Sequence, residues 1–273
     1  MTVLKKVSSK ENQIYKLCEK LRQKKYRDRS CAYIVEGENL VEEAIDTGQD
    51  IRHIVINEDA EISTRLMRKA EDCGGAVFMK GSLFIKAAQT ETSQGILAVV
   101  SKRFGPENDS VKSFLETADS RGSDLVILDR LQDPGNLGTI IRTADAAGYG
   151  GIIAVRGTGD IYSPKVVRAA AGSLFRVPVI YAESGKKAAQ MAKNCGKKLI
   201  CTSFDTENMY YDTDLKEDAA IVIGNEGNGV SRELMDEADE FVRIPMRGEI
   251  DSLNAAVAAA ILMYQSVQQK ARR

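Results

Sequence analysis

Three stretches in the second half of this sequence put Asn, Gly, Ser and charged residues where an apolar run gives way to a helical pattern. Residues 129–148 read DRLQDPGNLGTIIRTADAAG, residues 221–231 read IVIGNEGNGVS, and residues 241–265 read FVRIPMRGEIDSLNAAVAAAILMYQ. A strand that ends in a polar loop and turns into a helix leaves backbone donors and acceptors unpaired, which is where α/β proteins hold ligands. In the first stretch Asp133-Pro134-Gly135 makes a turn and Asn136 suits a helix N-cap. Arg142, six residues on among Ile140, Ile141 and Ala144, is either a surface residue with a buried stem or a charge aimed into a cleft. The second stretch, from Gly224 through Glu226 to Gly229, is either an ordinary Gly-rich turn or a bare backbone that lets a ligand approach. In the third, Pro245 ends the strand, Ser252 stands at the expected N-cap, and Leu253, Val257, Ala260 and Tyr264 recur at helical spacing.

Much chemistry is excluded. No Gly-Lys-Ser/Thr follows the glycines, and no G-x-G-x-x-G follows any apolar run, which disfavours nucleotide triphosphate and dinucleotide enzymes. The single histidine, His53, sits in the apolar run IRHIVI as a half-buried strand residue. The five cysteines are scattered with no C-x-x-C pair. That argues against a disulfide framework, a zinc site, a His-ligated metal or a Ser-His-Asp hydrolase. No run approaches ~20 apolar residues, so no membrane span is expected. The start MTVLKKVSSKENQ lacks the apolar core of a secretory signal, which points to the cytoplasm. Net charge is -1, but the first thirty residues hold 10 Lys/Arg against 3 Asp/Glu. That excess is a solvated helix face or the start of an RNA-binding surface.

The elements that must position the three loops follow from periodicity. Residues 8–25 read as one basic amphipathic helix with Ile14, Leu17, Cys18 and Leu21 on a face. The runs AYIVE, IRHIVI, AVFM and ILAVV then alternate with helical patterns, with Gly48 and Gly74-Gly75 at helix C-caps, and imply a small α/β domain over residues 1–103. The stretch around Gly105-Pro106 reads as a linker at 104–110. Over 111–273 the alternation resumes with DLVILD, GIIAV, VPVIY, KLICT, AAIVIG and FVRI. Runs this apolar suggest a parallel sheet covered on both faces. Between the first two loops, Ser163 caps and Pro164 opens a helix that carries Lys165 and Arg168 on one face, as phosphate contacts or as a solvated face.

The three loops in this order resemble the three motifs of the SpoU/TrmH family of RNA 2′-O-ribose methyltransferases, part of the SPOUT superfamily. The resemblance runs from about Asp124 to the end and rests on Asn136 and Arg142, the Gly224-x-Glu226-Gly227-x-Gly229 loop, Ile244-Pro245-Met246 and Ser252-Leu253-Asn254. One departure is Ala256, where family members often carry serine. The run YIVEGENLVEEAI also looks like the opening of the ribosomal-protein-like α/β domain that many such enzymes use for substrate RNA. The resemblance implies a parallel-sheet catalytic domain with a C-terminal trefoil knot, a homodimer, and S-adenosylmethionine as methyl donor, with no metal. It implies that Gly224, Gly229, Ile244, Met246 and Leu253 contact the cofactor. Arg142, Asn136, Glu226, Ser252 and Asn254 then shape the reaction, and Lys165 and Arg168 contact RNA. A guanidinium is a poor base, its pKa staying above ~12, so Arg142 is expected to hold a phosphate and stabilise the developing alkoxide. The N-terminal domain points to ribosomal RNA. A transfer RNA 2′-O-methyltransferase, a non-catalytic RNA-binding protein on the same fold and a small-molecule methyltransferase are the alternatives.

Overall fold

The computed structural model describes residues 5–90, 92–104, 108–121, 124–216, 218–250 and 252–272. The chain divides into two compact units. One is Met1–Arg103 together with Tyr162–Phe175, and the other is Phe104–Ile161 together with Arg176–Arg273. Gly105, Pro106 and Glu107 of the expected linker lie outside the described residues, and Asn108 already opens a helix.

The first unit runs β1 (Lys5–Val7), α1 (Gln13–Lys20), α2 (Lys24–Ser30), β2 (Ala32–Glu36), α3 (Glu38–Asp46), β3 (Ile51–Asn57), α4 (Thr64–Asp72), β4 (Ala76–Met79), α5 (Gly81–Ala87) and β5 (Ile96–Ser101). Its sheet has the order β1-β4-β3-β5-β2, with β5 antiparallel to both neighbours and the other pairs parallel. His53 lies half-buried in β3, as expected. The single basic helix expected over residues 8–25 is in fact two. Asn12 caps α1 by accepting the Ile14 N–H at 2.8 Å, and the chain breaks after Leu21. The break serves Arg27, which is buried and donates to the carbonyls of Leu21 and Arg22 at 2.7 and 2.8 Å. Part of the N-terminal positive charge is therefore structural: it satisfies helix-end carbonyls that would otherwise lack donors.

The second unit runs α6 (Asn108–Arg121), β6 (Leu125–Leu128), α7 (Pro134–Ala146) and β7 (Gly151–Val155). After α8 (Pro164–Ala169), which lies in the first unit, it continues with β8 (Val179–Ala182), α9 (Gly185–Asn194), β9 (Lys198–Thr202), β10 (Ala219–Ile223), α10 (Arg232–Met235), β11 (Glu240–Val242) and α11 (Ala255–Ala271). Its six strands, in the order β11-β9-β10-β6-β7-β8, are all parallel. Every residue of β6, β7 and β10 is buried, which is why these runs are continuously apolar. β6 and β10 are neighbours in register, Leu128 beside Ile223, so the first two polar loops leave the sheet side by side. The third loop leaves the edge strand β11 and ends at α11, which packs along α7 and β10.

Tyr162 and α8 sit within the stretch expected to belong wholly to the second domain, yet pack in the first unit. The Tyr162 ring lies 4.8 Å from that of Tyr33, centroid to centroid, and Lys102 stands 4.7 Å over its face. Ser163 caps α8 and Pro164 opens it, as expected.

Candidate active site

Two helix caps differ from those expected, and the differences leave Asn136 free of capping and fix the orientation of Asn254. Asp133, one residue before Pro134, is the N-cap of α7, its Oδ1 accepting the Asn136 N–H at 2.8 Å. Asn136 thus moves three residues into the helix and its amide is available for other partners. On α11 the cap is Asn254 and not Ser252: its Oδ1 accepts from the N–H groups of Ala256 and Val257 at 2.9 and 3.3 Å. That orients the Asn254 amide nitrogen outward, where it donates to Asn136 Oδ1 at 2.8 Å. Asn136 in turn donates from Nδ2 to Glu226 Oε1 at 3.1 Å. The Glu226 carboxylate also accepts the backbone N–H groups of Gln132 and Asp133, each at 3.3 Å. One side-chain relay, Asn254 to Asn136 to Glu226, therefore joins all three loops.

Burial works against the charge on Glu226. The hydrogen bonds from its own backbone, from Asn136 and from the Asp133 and Gln132 amides outweigh it, and hold the carboxyl below the usual range. A lowered value means that the stability Glu226 contributes is present above the ordinary carboxylate pKa and lost as pH falls through its own lower one. Glu226→Gln should therefore be less stable than the parent at neutral pH, with the gap closing below about pH 4. Thermal melts over a pH series check this, and a gap that persists in acid would refute it.

Beneath the relay two residues not anticipated from sequence brace the loops. Asp129, fully buried at the end of β6, accepts the Ser231 N–H at 2.5 Å and the Arg130 Nε at 3.0 Å. Asn225 donates to the Arg130 carbonyl at 2.8 Å and accepts from Gly227 and Asn228 N–H groups. The signal for Asp129 was a carboxylate closing an unbroken apolar run, since a buried charge must find donors. Gly224 is required by packing: a Cβ there would lie 2.3 Å from the Gly229 carbonyl carbon, so only glycine lets the loop close on itself.

Other expected site residues fall differently. Arg142 lies on α7, six residues and about 9 Å of helix axis beyond Asn136. Its side chain is exposed and has no hydrogen bond or ion pair among the described residues, so it stays outside the relay. Ser252 is exposed, while Ile244, Met246 and Leu253 are half-buried. Among the described residues from 244 to 253, no backbone or side-chain group makes a hydrogen bond. This leaves a strip of unused peptide donors and acceptors flanked by apolar side chains, which runs up to Asn254 of the relay. Such a set suits a ligand with an adenine ring and a polar tail, and thus fits S-adenosylmethionine. Lys165 and Arg168 are exposed on α8, in the first unit. Of the residues that recur at helical spacing on α11, Val257 and Tyr264 face out, 47% and 49% exposed, and Ala255, Ala256, Ala259, Leu262 and Met263 form the buried face. Among the described residues no helix is long and apolar enough to cross a membrane, and no group of three His, Cys, Asp or Glu is placed to hold a metal.

Residues 124–264 match the model of the SpoU rRNA Methylase family, and residues 12–98 match that of the MRM3-like substrate binding domain. The chain is 34% identical over 261 residues to the 23S rRNA (guanosine(2553)-2′-O)-methyltransferase RlmP of Bacillus subtilis, covering 96% of this chain and 98% of that one. It is also similar to the crystal structure of an AdoMet-bound rRNA methyltransferase from Sinorhizobium meliloti, with a TM-score of 0.84, 32% identity, and 97% and 98% of the two chains covered. The SpoU methyltransferase AviRb of Streptomyces viridochromogenes in complex with AdoMet superposes with a TM-score of 0.82 at 28% identity, over 96% and 99% of the two chains. By the matched model, by these relatives and by the three joined loops, the chain belongs to the SpoU rRNA methylase family.

Proposed function

We propose that this protein transfers the methyl group of S-adenosylmethionine to a ribose 2′-hydroxyl of RNA, with ribosomal RNA as the substrate class. The observation that carries this reading is the relay of Asn254, Asn136 and Glu226 beside a strip of unused peptide groups. Two near full-length relatives named as rRNA methyltransferases support the substrate class, and the AdoMet complexes of one of them and of the SpoU methyltransferase AviRb support the donor.

When bound, S-adenosylmethionine supplies an electrophilic methyl group on a sulfonium sulfur. The rest falls to the chain. Peptide groups of residues 244–250 and 252–253 and the bare backbone at Gly224 and Gly229 would hold the cofactor, with Ile244, Met246 and Leu253 offering it apolar surface. Glu226, Asn136 and Asn254 keep the three loops at fixed spacing, so the acceptor oxygen is presented in line; positioning of this kind supplies much of the rate in a displacement. Arg142, with no internal partner among the described residues, holds the phosphate next to the ribose and stabilises the 2′-oxygen as its proton passes to solvent water. Lys165 and Arg168 add phosphate contacts. The protein works in the cytoplasm as a homodimer, its outward face of Val257 and Tyr264 on α11 covered by a second copy, and the C-terminal segment forms a trefoil knot. Val257→Asp should then shift the protein to monomer in sedimentation experiments; an unchanged dimer would move the interface elsewhere.

Transfer of tritiated methyl from S-adenosylmethionine to protein-free ribosomal RNA tests the reaction, and mapping of ribose methylation in cells with and without the gene identifies the nucleotide. A protein that binds both ligands and transfers nothing would be a non-catalytic binder. Asn254→Ala removes the cap of α11 and leaves the Asn136 carbonyl without its donor, each at a cost of roughly 1 kcal/mol. The expected result is about tenfold weaker binding of S-adenosylhomocysteine together with a lower rate. Wild-type affinity in a calorimetric titration would show that Asn254 does not organise the pocket.

A further inference from the structure

A cavity of about 340 Å³ opens in the first unit where β2 hands over to α3. Part of its wall is fixed by internal hydrogen bonds. The Glu36 carboxylate accepts the Gln89 N–H at 2.7 Å and the Thr90 hydroxyl, and Gln94 Oε1 accepts the Glu38 N–H at 2.9 Å. Gly37, between them, has a φ of 103°, and a Cβ there would stand 2.8 Å from Gln94 Oε1. The wall is thus bare at this point and already formed.

Three other lining groups are different in kind. The Asn39 amide, the Thr92 hydroxyl and the Arg168 guanidinium are on exposed residues and have no hydrogen bond or ion pair among the described residues. A half-buried Leu40 adds apolar surface beside them. The volume lies within the range of small-ligand pockets, ~300–1,000 Å³. A fixed cation answers a phosphate, an amide that both donates and accepts answers a base edge, and a guanidinium plane or apolar patch answers a base face. Unpaired nucleotides present all three, whereas a duplex hides its base faces in the stack and its Watson–Crick edges in pairing.

We propose that this cavity receives one unpaired nucleotide of the substrate RNA, with Arg168 on its phosphate and Asn39 on its base edge. The proposal rests on RNA being the substrate. Arg168 lies in the stretch that matches the SpoU model, while Asn39 and Thr92 lie in the substrate-binding-domain match, so the subsite draws on both matched segments. It therefore gives α8 a role in substrate selection that neither match states.

The test uses the full-length protein and protein-free ribosomal RNA, with filter binding in the absence of methyl donor and methyl transfer in its presence. Arg168→Ala and Asn39→Ala should each weaken RNA binding and raise the KM for RNA by about tenfold, leaving kcat and the KM for S-adenosylmethionine unchanged. Arg168→Ala should also flatten the dependence of log Kd on log salt by about one unit, and Asn39→Ala should not. Thermal melts identical to the parent exclude misfolding, since both side chains are exposed. RNA affinity within twofold of wild type in both variants would overturn the proposal. Loss in Arg168→Ala alone would make the site a phosphate contact and overturn the base-reading half. A parent that binds RNA but transfers no methyl would sink the reaction and leave the subsite testable by binding; one that does neither would sink both.

Discussion

Arg142→Ala is expected to bind S-adenosylhomocysteine as the parent does while methyl transfer falls at least about a hundredfold, the range for removal of a transition-state charge donor. The two halves of this expectation have separate grounds. Cofactor affinity should survive because Arg142 is bonded to none of the three loops and is exposed on α7, flanked by the buried Ile141 and Ala144 that hold the helix in place. The rate should collapse because, among the described residues, this cation has no internal partner and is free to be directed at RNA, where it would stabilise the developing alkoxide. Arg142→Lys sharpens the reading: it restores charge but not the planar fork, so it should recover only part of the rate. Turnover of the alanine variant at the parental level in a tritiated-methyl assay would remove Arg142 from the mechanism.

The largest loss of stability is expected from Asp124→Ala. Asp124 is 2% exposed at the entrance to β6. Its Oδ1 accepts the Ala219 N–H at 3.2 Å, and its Oδ2 accepts the Ser266 hydroxyl at 2.8 Å and the Lys270 ammonium at 2.6 Å. Alanine would strand a buried amide and a buried hydroxyl at once. Lys270, about a third exposed, can turn to water, so the ion pair adds less than a buried one would. The sum is about 3 kcal/mol, or a fall of about 10 °C in Tm for a unit of this size. Ser266→Ala, which removes one donor and keeps the bonds from Ala219 and Lys270, should cost less than half as much. Equal Tm values for Asp124→Ala and the parent would show that the Asp124 carboxylate does little to hold α11 to the sheet.

Strands were legible wherever burial on both sides made a run continuously apolar, as in GIIAV and AAIVI. β1 was not, because Lys5-Lys6-Val7 has one inward residue, and a short basic edge strand carries little pattern. The caps were misplaced for a different reason. Asp133 and Asn136, like Ser252 and Asn254, are all good cap formers, and only the proline after Asp133 distinguished one of them. On α11 nearly every residue is small or apolar, so periodicity could not say which stripe faced the core. The site itself depends on side chains 90 and 118 residues apart meeting at 3.1 and 2.8 Å, which no local pattern encodes. The family resemblance selected those residues, while the direction of each bond, and with it the cap role of Asn254, came from the fold.

The packing of Tyr162 on Tyr33 sets a rule for building hybrids of such enzymes. A graft cut only in front of α6 would separate a donor's Tyr33 from the Tyr162 it evolved with, and leave the recipient's Val166 and Val167 against a foreign surface. Exchange of substrate preference by domain swapping therefore needs a second crossover pair bracketing Tyr162–Phe175, so that this insert travels with the N-terminal hundred residues.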